Sequence, residues 1–167
     1  TFDEGATPIV DINTFDCSIY DAEGNLVKNG TFKYADRPTE SNPLNLKAGN
    51  YTLKMLSGTM TDDSGNAVDA AWESPIYGLT KPFTINIKQT TNLSDLVCTL
   101  QNIQATIEYS DDLRAALSDD TVATLTVGKG SLDYSKKETR AGFFTAPEAK
   151  NTIDILIVGT YKAEGKD

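Results

Sequence analysis

The sequence lacks histidine and has only two cysteines and one tryptophan among its 167 residues. Without histidine, the Ser-His-Asp and Cys-His nucleophile systems, His-ligated zinc and the usual near-neutral acid–base group are excluded. Two cysteines are too few for a four-cysteine zinc site or a disulfide-dense scaffold. No apolar run approaches the roughly 18 residues that a membrane-spanning helix needs. These absences exclude many functional classes and identify none.

Basic residues are also scarce, since 24 acidic residues face 15 basic ones and the formal net charge at pH 7 is −9. A surface this acidic repels phosphate backbones and anionic lipid heads, so we expect neither a nucleic-acid partner nor binding to a membrane surface. The hydrophobic share of 39% and the charged share of 23% are those of an ordinary globular protein. The chain length suits one large or two small domains, and the pattern below favours two.

Most of the chain alternates apolar and polar residues with period two, which is typical of half-buried strands. Clear examples are 15–19, 51–55 and 83–87. Asp21 to Asn25 has the composition of a turn, and Asn29-Gly30 is the strongest two-residue hairpin signal because both residues tolerate positive φ. The pattern therefore predicts a strand-rich fold.

One convincing helix interrupts the strands. It covers Ser110 to Leu117, where Ser110 is placed to cap the N-terminus and Asp111 and Asp112 suit the positive end of the helix dipole. Residues 57–74 have little apolar patterning and are predicted to form a long excursion, or else to contain an irregular strand.

The last strand, residues 152–160, is apolar on both faces over much of its length, so we expect both faces to be covered inside a sheet. Little chain follows it. Either strands from elsewhere close this sheet, or it keeps an open edge that can accept a partner strand. A change of register near Gln101 predicts a first domain over 1–101 and a second over 102–167. The predicted fold class is all-β, with two tandem β-sandwiches and one short helix.

Several segments, taken in order, resemble a known family. They are the acidic turn after the Cys17 strand, Leu46–Leu53, Ser74–Gly78, Pro82–Ile87, Leu96–Asn102 and Ala105–Ser110. Their order and spacing, over roughly residues 9–160, resemble a family of surface-exposed lipoproteins from Bacteroidetes-type bacteria. That family has no known function and is similar to the fimbrillin-like proteins of pilus anchors and tips.

The resemblance implies tandem Greek-key sandwiches of the transthyretin-like or Ig-like type. It also implies export, a lipid-anchored N-terminal cysteine and display at the cell surface or outer membrane, with no catalytic residues and no cofactor. The chain begins at Thr1, which would lie downstream of such a cysteine, and this indicates a processed product with residues 1–8 as a tether. Expected partners are a protein or a glycan at the cell surface, and a membrane only through the anchor.

Four residues are the candidate site residues. Trp72 and Tyr77, with Tyr34 as a further member, could form an aromatic platform that stacks on a sugar ring, or could pack down against their own sheet. Cys17 and Cys98 each occupy the apolar face of a predicted strand. An export route permits a disulfide between them, and the alternative is two separate buried thiols.

Acidic residues offer two further hypotheses. Asp62, Ser64, Asn66 and Glu73 match positions one, three, five and twelve of a calcium loop, but position six is Ala67 instead of glycine, so a solvated turn is the alternative. The acidic pairs at 62–63, 111–112 and 119–120 suggest a glycosidase, which needs two carboxyl groups facing each other across a cleft. Adjacent residues on a strand point apart.

The sequence therefore predicts a protein that is not an enzyme and has no metal or cofactor. Its expected role is an adhesin-like or pilus-accessory module that recognises partners by shape, by an edge strand or by loops at the sandwich ends. A carbohydrate-binding module and a structural spacer remain the alternatives.

Overall fold

A computed structural model describes residues 10–147 and 150–162. The predicted tether over residues 1–8 lies outside these residues. The fold is all-β with antiparallel sheets and one short α-helix, which confirms the predicted fold class. The described elements are β1 (Asp16–Asp21), β2 (Leu26–Lys33), β3 (Gly49–Leu56), β4 (Ala70–Trp72), β5 (Tyr77–Ile85), β6 (Thr99–Leu100), β7 (Ile103–Ala105), α1 (Asp111–Ala116), β8 (Val122–Val127), β9 (Gly130–Ser135), β10 (Gly142–Phe144) and β11 (Asp154–Val158), with 3-10 turns at Ile12–Thr14 and Tyr34–Asp36.

The chain divides into two compact units, one of residues 1–59 and 76–100 and one of residues 60–75 and 101–167. The last boundary lies beside the predicted one, but the segment 60–75, which was assigned to the first domain, belongs to the second unit. This segment carries β4, and β4 pairs with β10 of the second unit. The segment 60–75 therefore belongs to the second unit because its strand pairs there, although it directly follows residues of the first unit in the sequence.

The first unit contains a five-stranded sheet of order β2-β1-β3-β5-β6. One face carries the buried cluster, which consists of Phe15, Cys17, Ile19, Leu53 and Met55. Connecting segments supply further apolar side chains that pack against this cluster, among them Leu44, Leu46, Leu93 and Leu96. In this unit the loops between strands therefore help to cover the sheet.

The first hairpin turns at Asp21–Asn25, and the hairpin prediction at Asn29-Gly30 is wrong. Both residues lie inside β2, where Asn29 has a φ of 59° and the pairing with β1 shifts between Ser18 and Tyr20. The positive φ that favours Asn-Gly in a hairpin turn occurs here at Asn29, within a strand whose pairing is irregular.

The second unit contains two three-stranded sheets, of order β4-β10-β7 and β11-β8-β9. The buried residues of its core come from both sheets and from the segment before α1, and they are Tyr109, Ala123, Leu125, Val127, Tyr134 and Phe144. Strand β8 alternates between half-buried and buried residues along its whole length. This is the period-two pattern that the sequence predicts for a strand with one face against the core.

Helix α1 begins after Ser110, whose hydroxyl accepts a hydrogen bond from the Leu113 amide at 3.3 Å, so the predicted N-cap is confirmed. At the other end of α1, Lys136, the residue directly after β9, donates a hydrogen bond from its ammonium group to the Leu117 carbonyl at 2.9 Å. None of the described helices has the length and apolar character needed to cross a membrane.

Candidate functional site

Strand β11 exposes more apolar side chain than any other strand of the described chain. Ile155, Leu156, Ile157 and Val158 are 60%, 63%, 53% and 62% exposed. We call these four residues the β11 edge. The prediction that both faces of this strand are covered is wrong, and within the described residues β11 pairs with β8 and with no other strand. The open-edge alternative is the one that the structure adopts.

The register between β11 and β8 shows which face each side chain occupies. Ile155 lies opposite Leu125 and Ile157 opposite Ala123, and these two β8 residues are only 2% and 0% exposed. Because directly opposed residues share a face of a sheet, Ile155 and Ile157 continue the core-facing row of β8 into the region where no described residue covers it. Leu156 and Val158 occupy the other face.

The chain that follows β11 is fixed along the same side as β8. The Ser118 amide donates to the Thr160 carbonyl at 2.8 Å, and the Lys162 amide donates to the Ala116 carbonyl at 2.7 Å. The Thr160 amide donates to the Ser118 hydroxyl at 3.0 Å. These bonds hold the C-terminal end of β11 in place, and among residues 10–147 and 150–162 no strand pairs with the edge of β11 that points away from β8.

The electrostatic surroundings of the β11 edge are acidic. Its four residues are uncharged, and the exposed Asp154 precedes them. The sequence ranges of the second unit contain 15 acidic and 8 basic residues, which gives a formal charge of −7 out of the −9 of the whole chain. The unit that carries the β11 edge therefore holds most of the excess negative charge of the chain.

The two aromatic candidates belong to different units, Trp72 to the second and Tyr77 to the first. The Trp72 ring meets Tyr134 edge-on with centroids 4.7 Å apart, and the guanidinium of Arg140 lies 4.6 Å over the Trp72 ring. Tyr77 is half-buried against the first core. Tyr34, the further member, is covered by the guanidinium of Arg37 at 4.5 Å. Each ring is thus occupied within its own unit.

Both cysteines are free thiols. Cys17 lies on β1 and Cys98 directly precedes β6, and β3 and β5 separate these two strands in the sheet. Cys98 packs against the buried cluster to which Cys17 belongs, and no bond joins the two sulfur atoms in the structure. Burial raises the pKa of Cys17 to about 11. The arrangement is that of the alternative, two separate thiols in one core.

The carboxylate of Asp62 closes a tight turn. It accepts hydrogen bonds from the backbone amides of Ser64 at 2.9 Å and Asn66 at 2.8 Å. The side chain of Asn66 also donates to it, and these bonds lower the pKa of Asp62. Glu73 lies past β4, where its amide donates to the Ala141 carbonyl. Among the described residues, no group of three or more His, Cys, Asp and Glu side chains is placed to hold a metal ion.

The predicted turn at Asp21–Asn25 in the first unit has the same hydrogen bonds as the Asp62 turn, and this match is not among the predictions from sequence. Asp21 accepts hydrogen bonds from the amides of Glu23 and Asn25, as Asp62 does from Ser64 and Asn66. Both turns have the sequence Asp-x-x-Gly-Asn-x-Val, and their glycines have φ values of 84° and 82°. The match covers only seven residues and occurs at 21–27 and 62–68, so it does not define a repeat with a fixed period.

A depression of about 470 Å³ lies on the first unit. Its lining residues come from the ends of three neighbouring strands and are Asp21, Ala22, Asn50, Tyr51, Thr52, Pro82, Phe83 and Thr84. Asp21 supplies the single carboxylate of this lining, and that carboxylate is already hydrogen-bonded by its own turn. The lining therefore presents no pair of facing carboxyl groups of the kind that glycoside hydrolysis requires.

The acidic pairs have structural roles in the described chain. Asp111 and Asp112 occupy the first turn of α1, and Asp119 forms an ion pair with Lys136 at 2.6 Å. The side chain of Lys136 lowers the pKa of Asp119 by donating a hydrogen bond to it. Asp120 accepts a short hydrogen bond from the Ser118 hydroxyl.

A family model described as Domain of unknown function (DUF4493) matches residues 3–167. No curated protein and no solved structure matches the chain.

Proposed function

The chain belongs to the DUF4493 family, whose function is unknown, and on that premise we propose that it is a non-enzymatic cell-surface interaction protein. Its role is that of an adhesin-like or pilus-accessory module, and it recognises a partner protein through the β11 edge. The observation that carries this proposal is the exposure of four consecutive apolar residues, each at 53% or more, on a strand with an open edge.

Physical chemistry supports a binding role for this strand. An edge strand with an apolar surface is an aggregation hazard, and proteins usually protect such strands with charges, prolines or bulges. Between Ile155 and Val158 there is no charged residue and no proline, and the pairing with β8 has no bulge. Fully burying an exposed apolar side chain of this size is worth about 1.5 to 3 kcal/mol, before the entropic cost of association. The side chains of the β11 edge keep 53% or more of their surface exposed, so a partner that covers them gains part of this free energy at each one.

Export and surface display are supported by the sequence. The resemblance to surface lipoproteins and fimbrillin-like proteins supports a location outside the cell. The excess of nine acidic residues agrees with a protein that must not adhere to anionic surfaces. We therefore propose that the chain acts at the cell surface, with a lipid anchor like that of the surface lipoproteins it resembles.

The local geometry also supports a binding role over an enzymatic one. Asp21 and Asp62 are engaged by their own turns, and Asp119 is engaged by Lys136. The carbohydrate-binding alternative has weaker support, because the Trp72 ring contacts Tyr134 edge-on and has the Arg140 guanidinium over it, both within its own unit.

Site-specific photo-crosslinking on the cell that displays the protein tests this function. A photoreactive amino acid replaces Leu156 in one variant and Ser131 in a control variant. Ser131 is exposed on β9 of the same sheet. We expect an adduct with a second polypeptide from position 156 and little or none from position 131.

Two outcomes would contradict the proposal. One is equal or absent crosslinking at both positions. The other is turnover of a glycan or peptide substrate that an acid-to-amide substitution abolishes, since this would make the protein an enzyme.

A further inference from the structure

We infer that the partner adds to β11 as a β-strand, and that this strand is apolar at alternate positions and carries Lys or Arg at its ends. The inference rests on the proposed function and specifies the chemistry of the partner. It follows from the register of β11, from the exposure of its two faces and from the charge of the unit that carries it.

The backbone of β11 selects an extended partner. In an antiparallel pair, the N–H and C=O groups of alternate residues point away from the paired neighbour. On β11, which pairs with β8 on one side within the described chain, those groups point to the open side. A strand is the element that satisfies such a row of donors and acceptors, and a helix docked on the same edge would leave them without partners.

The side chains of β11 set the pattern of that strand. Ile155 and Ile157 lie on the core-facing side and Leu156 on the other, all at least 53% exposed. Side chains of an added strand alternate between these two sides. Apolar residues at alternate positions of the partner would therefore extend the core-facing row, and β-branched residues between them would cover Leu156.

Charge selects a basic partner over a second copy of this chain. Asp154 stands at one end of the β11 edge, and Asp119 and Asp120 follow Ser118, which is hydrogen-bonded to Thr160 at the other end. Lys136, Lys137 and Lys162 are the cations at this second end, and all three act on Asp119. With −7 on the unit and −9 on the chain, a second copy is repelled, whereas Lys or Arg at the ends of a strand is attracted.

Synthetic peptides test the inference on the full chain. The first peptide alternates threonine and valine and has two lysines at each end. The second has the same centre and two glutamates at each end, and the third is the lysine peptide with a central proline. We expect the lysine peptide to bind about tenfold or more tightly than the glutamate peptide in dilute buffer. The difference should shrink in roughly 1 M salt, where charges are screened over about 3 Å, and the proline peptide should not bind because it cannot complete the ladder.

Substitutions in β11 test whether the peptide binds at the β11 edge. Ile157→Thr keeps a β-branched residue and should weaken the lysine peptide several-fold, and Ile157→Lys should abolish its binding. Ser131→Lys is the matched control on the same sheet and should leave the affinity within about twofold. Circular dichroism of each variant checks that the sheet is intact. The inference is overturned if Ile157→Thr binds like the unmodified chain, or if sedimentation shows a dimer that Ile157→Lys dissolves.

The two proposals fail in different ways. If position 156 crosslinks to a partner but the lysine and glutamate peptides bind equally, the basic strand is wrong and the interaction function stands. If position 156 gives no adduct, the interaction function fails, whatever the peptides do.

Discussion

At the scale of single residues, Lys136 shows how a charged side chain can be essential to a small core. It is only 7% exposed, and its ammonium group donates to the carbonyls of Leu117 at 2.9 Å and Arg114 at 3.4 Å and pairs with Asp119. The carbonyls at the end of α1 have no partner within the helix, so Lys136 acts as their cap. Period two places Lys136 on the same face as Tyr134, but sequence alone does not show that α1 ends above it.

Replacing Lys136 by Met should therefore destabilise the second unit. The change keeps an unbranched side chain but removes the donor to two part-buried carbonyls, at a cost of about 1 kcal/mol. The matched control is Lys137→Met, one residue along and exposed, for which we expect a change within about 0.5 kcal/mol. Urea unfolding followed by Trp72 fluorescence measures both. Equal effects of the two substitutions would show that Lys136 does not cap α1.

The pair of Glu138 and Arg140 gives a prediction of pH dependence. Hydrogen bonds from the Arg140 side chain, at 2.7 Å and 3.0 Å, lower the pKa of Glu138 from 4.5 to about 2. Because the folded-state pKa is depressed, the stabilisation is complete above about pH 5 and is lost as the pH falls through 4.5 towards 2.

The melting temperature of Glu138→Gln, compared with that of the unmodified chain between pH 7 and pH 3, measures this effect. We expect the difference between the two proteins to be constant above pH 5 and to narrow below pH 4.5. With Arg140→Gln already in place, most of this pH dependence should disappear. A difference that stays constant down to pH 3 would mean that Glu138 titrates at its ordinary pKa.

At the scale of elements, the position of β11 depends on a close contact between the backbone after the strand and a buried side chain. Gly159 directly follows the strand, and a Cβ added there would lie 2.7 Å from Cβ and 2.8 Å from Cγ2 of Thr121, a residue that is fully buried. Real side chains essentially never approach so closely. Glycine is required here because the backbone of 159 passes directly over the Thr121 side chain.

We therefore expect Gly159→Ala to loosen β11 and to cost about 1 to 3 kcal/mol of stability. Hydrogen exchange of the β11 amides is the sharper measurement, because it reports the loosening of this strand before the unit unfolds. The control is Gly49→Ala, whose Cβ would have its nearest neighbour at 3.8 Å. If the β11 amides keep their protection in Gly159→Ala, Thr121 has moved aside and the contact does not fix the strand.

At the scale of the whole molecule, the chain crosses between units three times, at 59/60, 75/76 and 100/101. The second core needs Ala70 and Trp72 from the inserted segment, because both pack against its buried cluster. A fragment that begins at the predicted domain boundary therefore lacks one strand of a three-stranded sheet.

Two fragments test this organisation. We expect residues 102–167 to be unfolded or aggregated, because β10 loses its pairing with β4 and the core loses Trp72. Residues 60–167 contain the whole second unit and should fold, with 76–100 as a long loop. Amide dispersion in NMR spectra distinguishes the two fragments. A folded 102–167 fragment would show that β4 is dispensable.

The sequence by itself determined the strand-rich fold class, the capped helix after Ser110 and the last unit boundary near residue 101, since period two and local capping act between neighbours in the chain. Only the tertiary structure decided the membership of 60–75, the use of Asn29-Gly30 inside a strand and the exposure of Ile155 to Val158. These depend on which distant segments pair and which faces are covered. An apolar run has the same sequence pattern whether other segments of its own chain or a partner bury it, so the pattern alone does not distinguish the two cases.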